Sequence, residues 1–410
     1  MKQRVAITGI GAITPIGTGV EELWAGVRCG TSAIRTITRF DPSLFPSKVA
    51  AEVAFDPLDY MTSKRARRLD RFSQFALVCA RMALENAGLA VEDAARNGAG
   101  IYLGSALGGI AFAEEQHEAY VLNGPHHVNP LLALSVFGGA ASSNVTIELG
   151  LTGPSLSNGN SCAAGLIAIG EAARLIADGR IPVMLAGGAE APLAPLTFGA
   201  FAMIRVLSTR NDDPGTSSRP FDEGRDGFVI AEGACVLVLE SFAHAEARGA
   251  HIYAELAGYG TTSDAHHMTA PYPDGTRAAR AMTAALESAG LPPEAIDYVN
   301  AHGSSTVLND PTECRAIRLA LGDHAGQIAV SGTKGLHGHA LGATGAMETA
   351  ICALALERGH LPGTANLASL DPACDLDLIP PGGRDVQASH LLCNAFGFGG
   401  INATLALSAI

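Results

Sequence analysis

Aromatic residues make up only 5% of the 410-residue sequence, with a single tryptophan, so Ala, Leu, Ile and Val must do most of the packing. Positive charge is scarce too. Against 40 Asp and Glu stand 27 Lys and Arg, and the net charge of −13 argues against a nucleic-acid binder with a basic surface. No run of about 18 apolar residues occurs, so no membrane-inserted helix is expected. The first apolar stretch, Val5-Ala6-Ile7-Thr8-Gly9-Ile10-Gly11, is too short and glycine-rich for a signal peptide and reads as a buried strand. Eight cysteines lie scattered, with no Cys-x-x-Cys and no clustered Cys/His spacing. That pattern disfavours a disulfide framework or structural zinc, and reduced thiols in the cytoplasm are expected.

What is present is a long, apolar chain: 48% hydrophobic, 16% charged, with 48 glycines outside any repeat. That length allows one large two-part domain or two packed halves. Short apolar runs alternate with helical stretches, the pattern of an α/β protein. Runs at 100–104, 181–188, 296–302 and 328–332 read as strands, the first two ending in glycine. After Cys162, Leu166, Ile169, Ala173 and Ile176 share one helical face until Gly179 closes the segment. A second helix is expected over 344–358, with Met347, Ile351, Leu354 and Ala355 on one stripe. A short helix over 241–249, closed by Gly249, marks the expected divide between halves 1–250 and 251–410.

Three segments carry chemistry. In Ser155-Leu156-Ser157-Asn158-Gly159-Asn160-Ser161-Cys162-Ala163-Ala164-Gly165, an extended piece feeds a small-residue turn and the cysteine opens a helix. The positive end of the helix dipole favours a thiolate there, and the small neighbours leave room for an acyl group and for amides around an oxyanion. Taken alone, the same pattern fits a buried structural cysteine. His302 sits at a strand end before the hydroxyl-rich Ser304-Ser305-Thr306, and Lys334, His337 and His339 share a glycine-rich turn. No carboxylate or cysteine accompanies these histidines at metal-ligand spacing, so no metal is expected. A soft nucleophile with two donor loops suits thioester chemistry and a developing enolate. Five cations between Lys64 and Arg71 read either as a solvated helix face or as a patch for an acidic partner.

Over essentially its whole length the sequence resembles the elongating β-ketoacyl-[acyl carrier protein] synthases of the thiolase superfamily. The matching stretches are 5–17, 104–109, 153–170, 218–234, 263–269, 300–306, 331–345 and 393–402, with the order Cys162, His302, His339 and Lys334 five residues before His339. The resemblance implies an α/β thiolase fold of two similar βαβαβαββ halves in five αβαβα layers. It also implies decarboxylative condensation of an acyl thioester with malonyl carrier, in fatty acid or type II polyketide elongation. Cys162 would be the nucleophile, His302 and His339 donors to the malonyl thioester carbonyl, and Lys334 an electrostatic support paired with Glu348. The amides of Cys162 and Phe398 would form the oxyanion hole, with Phe398 gating the acyl pocket.

The resemblance also assigns Ser304 and Thr306 to the phosphopantetheine, and His267 and Thr269 to the substrate site. Leu107, Leu131 and Leu132 would line the acyl pocket, and Lys64, Arg65 and Arg68 would dock the acidic carrier. His337 is left as a structural group. No cofactor is implied, and the partner subunit would be a second copy or a chain-length-factor-like chain. Departures occur at Asn160-Ser161, Ala163-Ala164, Ala231, Ser304 and Ile401, none of which removes a catalytic group. Two other readings are a non-catalytic chain-length-setting partner and a thiolase acting on coenzyme A esters. The first conflicts with the presence of all three catalytic residues, and the second with two histidines where thiolases pair one with a second cysteine. Cys393 reads as strand packing.

Overall fold

The computed structural model describes residues 3–410. Its first half supplies β1 (Val5–Thr14), α1 (Arg71–Asn86), β2 (Gly100–Gly104), β3 (Ser155–Asn158), α2 (Ala164–Ala177), β4 (Val183–Glu190) and β5 (Gly233–Ser241). The second supplies β6 (Ala254–Ser263), α3 (Thr276–Ala289), β7 (Tyr298–Asn300), β8 (Ala329–Ser331), α4 (Thr344–Arg358), β9 (Asp377–Leu378), β10 (His390–Gly397) and β11 (Ile401–Ser408).

The two halves wind alike. The first sheet runs β3-β2-β4-β5-β1 and the second β8-β7-β10-β11-β6, with β9 added outside β8. In each, the first three strands of that order are parallel and the last two join antiparallel. A short ladder between β1 and β6, at Ala6–Glu255 and Ile7–Ala254, ties the sheets together.

Packing makes five layers. Helices α2 and α4 fill the space between the sheets, in one core with the inward faces of both. Helix α1 covers the outer face of the first sheet and α3 that of the second, each over its own apolar cluster. Glycine permits this closeness at matching places. A Cβ on Gly11 would lie 2.0 Å from the Cys79 carbonyl of α1, and one on Gly260 would lie 2.1 Å from the Ala281 carbonyl of α3. Both outer helices therefore lie flush against the first strand of their half.

Helix α4 spans the residues expected from the sequence, yet its burial does not follow a stripe: 344–356 are buried all round. A helix sandwiched between two sheets has no solvent face, and the Ala-rich sequence lets it fit. Among the described residues, no helix is long and apolar enough to cross a membrane.

Candidate active site

The nucleophile candidate sits where β3 hands over to α2. A 3-10 turn, Ser161–Ala163, precedes the helix, and Ser161 is held at φ +48°, which lifts Cys162 to the helix N-terminus. The second half repeats this device: a 3-10 turn, Leu341–Ala343, precedes α4, with Leu341 at φ +43°. The two turns touch, so both central helices begin at the same place.

Cys162, His302 and His339 line one cavity of about 190 Å³, together with Phe228, Phe396, Phe398 and Asn402. The imidazole rings stand edge to face with centroids 5.3 Å apart. Ser304, Thr306 and Thr269 line the same cavity, and the Ser304 and Thr306 hydroxyls lie 2.9 Å apart. Gly397 comes so near the nucleophile turn that a Cβ there would lie 3.2 Å from the Cys162 nitrogen. The following amide, that of Phe398, acts to lower the pKa of the Cys162 thiol. The Phe398 ring packs against Phe228, with centroids 6.4 Å apart.

Behind the histidines lies a buried ion pair. Lys334 Nζ is 2.7 Å from Glu348 Oε1, with side-chain exposures of 1% and 0%, and it also donates to the His302 carbonyl. Burial pushes the Glu348 carboxyl up to about 7, against the opposing pull of Lys334. Burial, then the Lys334 charge, holds His302 and His339 well below the usual imidazole range, so both rings are neutral. His339 Nδ1 lies 3.0 Å from the Thr344 hydroxyl. With the hydroxyl as donor, the ring proton sits on Nε2. His337 Nε2 meets the Thr333 hydroxyl at 3.0 Å, and that hydroxyl in turn reaches Glu348.

The sulfur departs from expectation. Burial raises the Cys162 thiol to about 12, although Lys334 and the Phe398 amide pull the other way. Loss of solvation among apolar side chains outweighs the helix terminus, so the resting group is a thiol.

Other residues singled out in the sequence fall elsewhere. His267 is exposed and outside the cavity lining, where its Nδ1 accepts from the amides of Thr269 (3.1 Å) and Ala270 (3.2 Å). Leu107 packs in the apolar cluster that includes Cys162, whereas Leu131 and Leu132 are half-buried and away from the cavity. Arg65 is committed to Glu148 at 2.7 Å, while Lys64, Arg67 and Arg68 are exposed.

Several residues that position the site were missed. Glu313 accepts from the backbone of His302 (2.8 Å) and Gly303 (2.9 Å) and from Asn394 (3.1 Å), fixing the first histidine loop. Asp264 accepts from Asn402 at 2.7 Å, and its amide donates to the Gly400 carbonyl, so the glycine-rich turn after β10 is held to the loop after β6. The two acids Asp310 and Glu313 near the start of the helix after His302 were the available signal for Glu313. Nothing local marks Asp264 or Thr344.

A buried cysteine under two neutral histidines, on a doubled α/β frame of the thiolase type with a lysine–glutamate pair behind, suits an acyltransferase. The sequence matches the families described as "Beta-ketoacyl synthase, N-terminal domain" over residues 2–245 and "Beta-ketoacyl synthase, C-terminal domain" over 253–368. The chain belongs to the β-ketoacyl synthase family. It is 44% identical to the 3-oxoacyl-[acyl-carrier-protein] synthase 2 of Coxiella burnetii, over 100% of this chain and 99% of that protein. The corresponding synthase of Synechocystis is also 44% identical, over 99% and 98%. Among solved structures, the ishigamide ketosynthase/chain length factor superposes with a TM-score of 0.93 at 36% identity, over 100% of both chains. A type II polyketide synthase acyl-carrier protein in complex with its ketosynthase, bound to the hexaketide, gives 0.92 at 36% identity, again over 100% of both.

Proposed function

We propose that this acyltransferase elongates an acyl chain by decarboxylative Claisen condensation with malonyl-carrier, in fatty acid or type II polyketide synthesis. The observation that carries the reading is the meeting of Cys162, His302 and His339 on one cavity, with the Lys334–Glu348 pair behind them.

In the first half-reaction the Cys162 sulfur attacks the acyl thioester. The bond to carbon forms as the thiol proton leaves, the amides of Cys162 and Phe398 hold the oxyanion, and the carrier departs as its free thiol. Malonyl-carrier then binds with its thioester oxygen on the Nε2–H groups of His302 and His339. The carboxylate leaves as CO₂, and its bonding pair becomes an enolate held by the two donors. Neutral rings suit this task, because they donate without giving up their protons. The enolate carbon attacks the acyl-enzyme, and collapse expels Cys162 as thiolate, which takes a proton from solvent. Lys334 supports the enolate electrostatically through its place behind His302. Ser304 and Thr306 bind the phosphopantetheine arm, with Thr269 beside it. No metal or organic cofactor enters.

Acyl carrier protein is the proposed partner, docking on the exposed cations Lys64 and Arg68. Reversing both to Glu is expected to raise the KM for carrier about tenfold at low salt, with the difference shrinking as salt rises. An unchanged KM would place the docking surface elsewhere. A second subunit, identical or chain-length-factor-like, is supported by an apolar face. The helix Ile110–Asn123 has no buried residue, Leu134, Val136 and Phe137 are exposed, and edge strand β3 has an unpaired side. On that face Leu131 and Leu132 would reach the acyl pocket. The cytoplasm is the proposed location, in keeping with eight free cysteines.

The test is direct. Incubation with an acyl-carrier and malonyl-carrier should give a β-ketoacyl-carrier two carbons longer, with one CO₂ released per turnover, and coenzyme A esters without malonyl should give none. Product formation without malonyl would restore the thiolase reading.

A further inference from the structure

Glu190 ends β4 with a fully buried side chain, and no cation is paired with it among the described residues. Its carboxylate instead accepts from four donors. These are the amides of Ala106 (2.6 Å), Leu107 (3.1 Å) and Gly342 (3.0 Å), and the Ser105 hydroxyl (3.0 Å). The Ala106 and Leu107 amides have no other partner among the described residues. Ala106 and Leu107 pack against the apolar cluster that contains Cys162, Leu193, Phe198, Phe228 and Phe398. They form a wall where an acyl chain leaving the sulfur would lie. The second histidine is anchored independently. Its amide donates to the Val229 carbonyl (2.7 Å), its carbonyl accepts from Ala231 (2.9 Å), and its Nδ1 meets Thr344 (3.0 Å). Removing the Glu190 acceptors would thus free the acyl wall and the Gly342 amide, while the Val229 and Ala231 bonds still hold the His339 backbone.

We propose that Glu190 is a positioning residue that sets acyl-chain preference by holding the Ala106–Leu107 wall against the nucleophile. The inference rests on the condensation reading. Every donor around Glu190 points an N–H or O–H inward, so the pocket requires an acceptor at both oxygens. In Glu190→Gln one oxygen becomes an NH₂ that faces amide hydrogens and accepts nothing, and the turn at 106–107 loses its support.

Wild type and Glu190→Gln are compared with short-chain and long-chain acyl-carriers at fixed malonyl-carrier, then with malonyl-carrier varied. For Glu190→Gln, kcat/KM for long-chain donors should fall about tenfold to a hundredfold, and for short-chain donors much less. The KM for malonyl-carrier should stay within about twofold, because the main-chain bonds of His339 to Val229 and Ala231 are untouched. A folded variant that loses activity equally with every donor, or loses affinity for malonyl-carrier to the same degree, would overturn the proposal. So would an unchanged chain-length profile. If thermal melting shows that Glu190→Gln does not fold, Ser105→Ala replaces it. That change deletes one donor and the hydroxyl that accepts from the Gly108 amide at 2.9 Å, and should shift the profile in the same direction by less. A Ser105→Ala profile identical to wild type would equally count against the proposal. Failure of the underlying reaction shows differently: wild type itself would take up no acyl group from any carrier.

Discussion

Cys162→Ala should form no acyl-enzyme adduct and should lose condensation by on the order of 10⁴-fold or more, the scale seen when a covalent nucleophile is removed. Intact-mass measurement after incubation with acyl-carrier is the check, and a retained adduct would assign the nucleophile to another residue. The geometry adds a finer expectation. His302 and His339 are held by Glu313, Lys334 and Thr344, none of which depends on the sulfur. The variant should therefore still release CO₂ from malonyl-carrier while making no new carbon–carbon bond. Joint loss of both activities would mean that the sulfur is needed to shape the malonyl site as well. Stability should change little, because removing one small side-chain atom from a well-packed site costs about 1 kcal/mol.

The second large effect concerns stability. Glu348→Ala leaves the Lys334 ammonium, 1% exposed, with the His302 carbonyl and no counter-charge. Breaking a buried pair in this way costs about 3–5 kcal/mol, a large share of the roughly 5–15 kcal/mol that holds a typical domain folded. Urea unfolding should show a matching drop in midpoint, and activity should fall in the fraction that remains folded. Glu348→Gln, which keeps an oxygen acceptor for Lys334, should lose less. A loss below about 1 kcal/mol in Glu348→Ala would indicate that the pair contributes little to folding.

Local pattern carried much of the architecture. Helix α4 was legible to the residue, and β1, β2 and α2 lie where apolar periodicity and closing glycines place them. The convergence of Cys162, His302 and His339 came from motif order rather than from any local signal. What escaped were relations between distant segments. No sequence repeat announces the doubled fold, because the halves share backbone paths and glycine contacts, such as Gly11 on α1 and Gly260 on α3, more than side chains. Glu190 and Glu313 satisfy amides on other elements, so their importance depends on which loops fold back upon them. Arg65 looked as free as Lys64 until Glu148, 83 positions away, took it. The thiol state of Cys162 likewise depends on burial by Phe398 and its neighbours, which a helix-start pattern does not register.

The paired 3-10 turns have one more consequence. Because α2 and α4 both begin beside the cavity, their peptide dipoles run from the same end and reinforce each other at the site instead of cancelling. That part of the field belongs to the main chain. Substituting Cys162, either histidine or Lys334 alters the chemistry performed there, but the pull on negative charge supplied by two helix starts remains as long as the fold does.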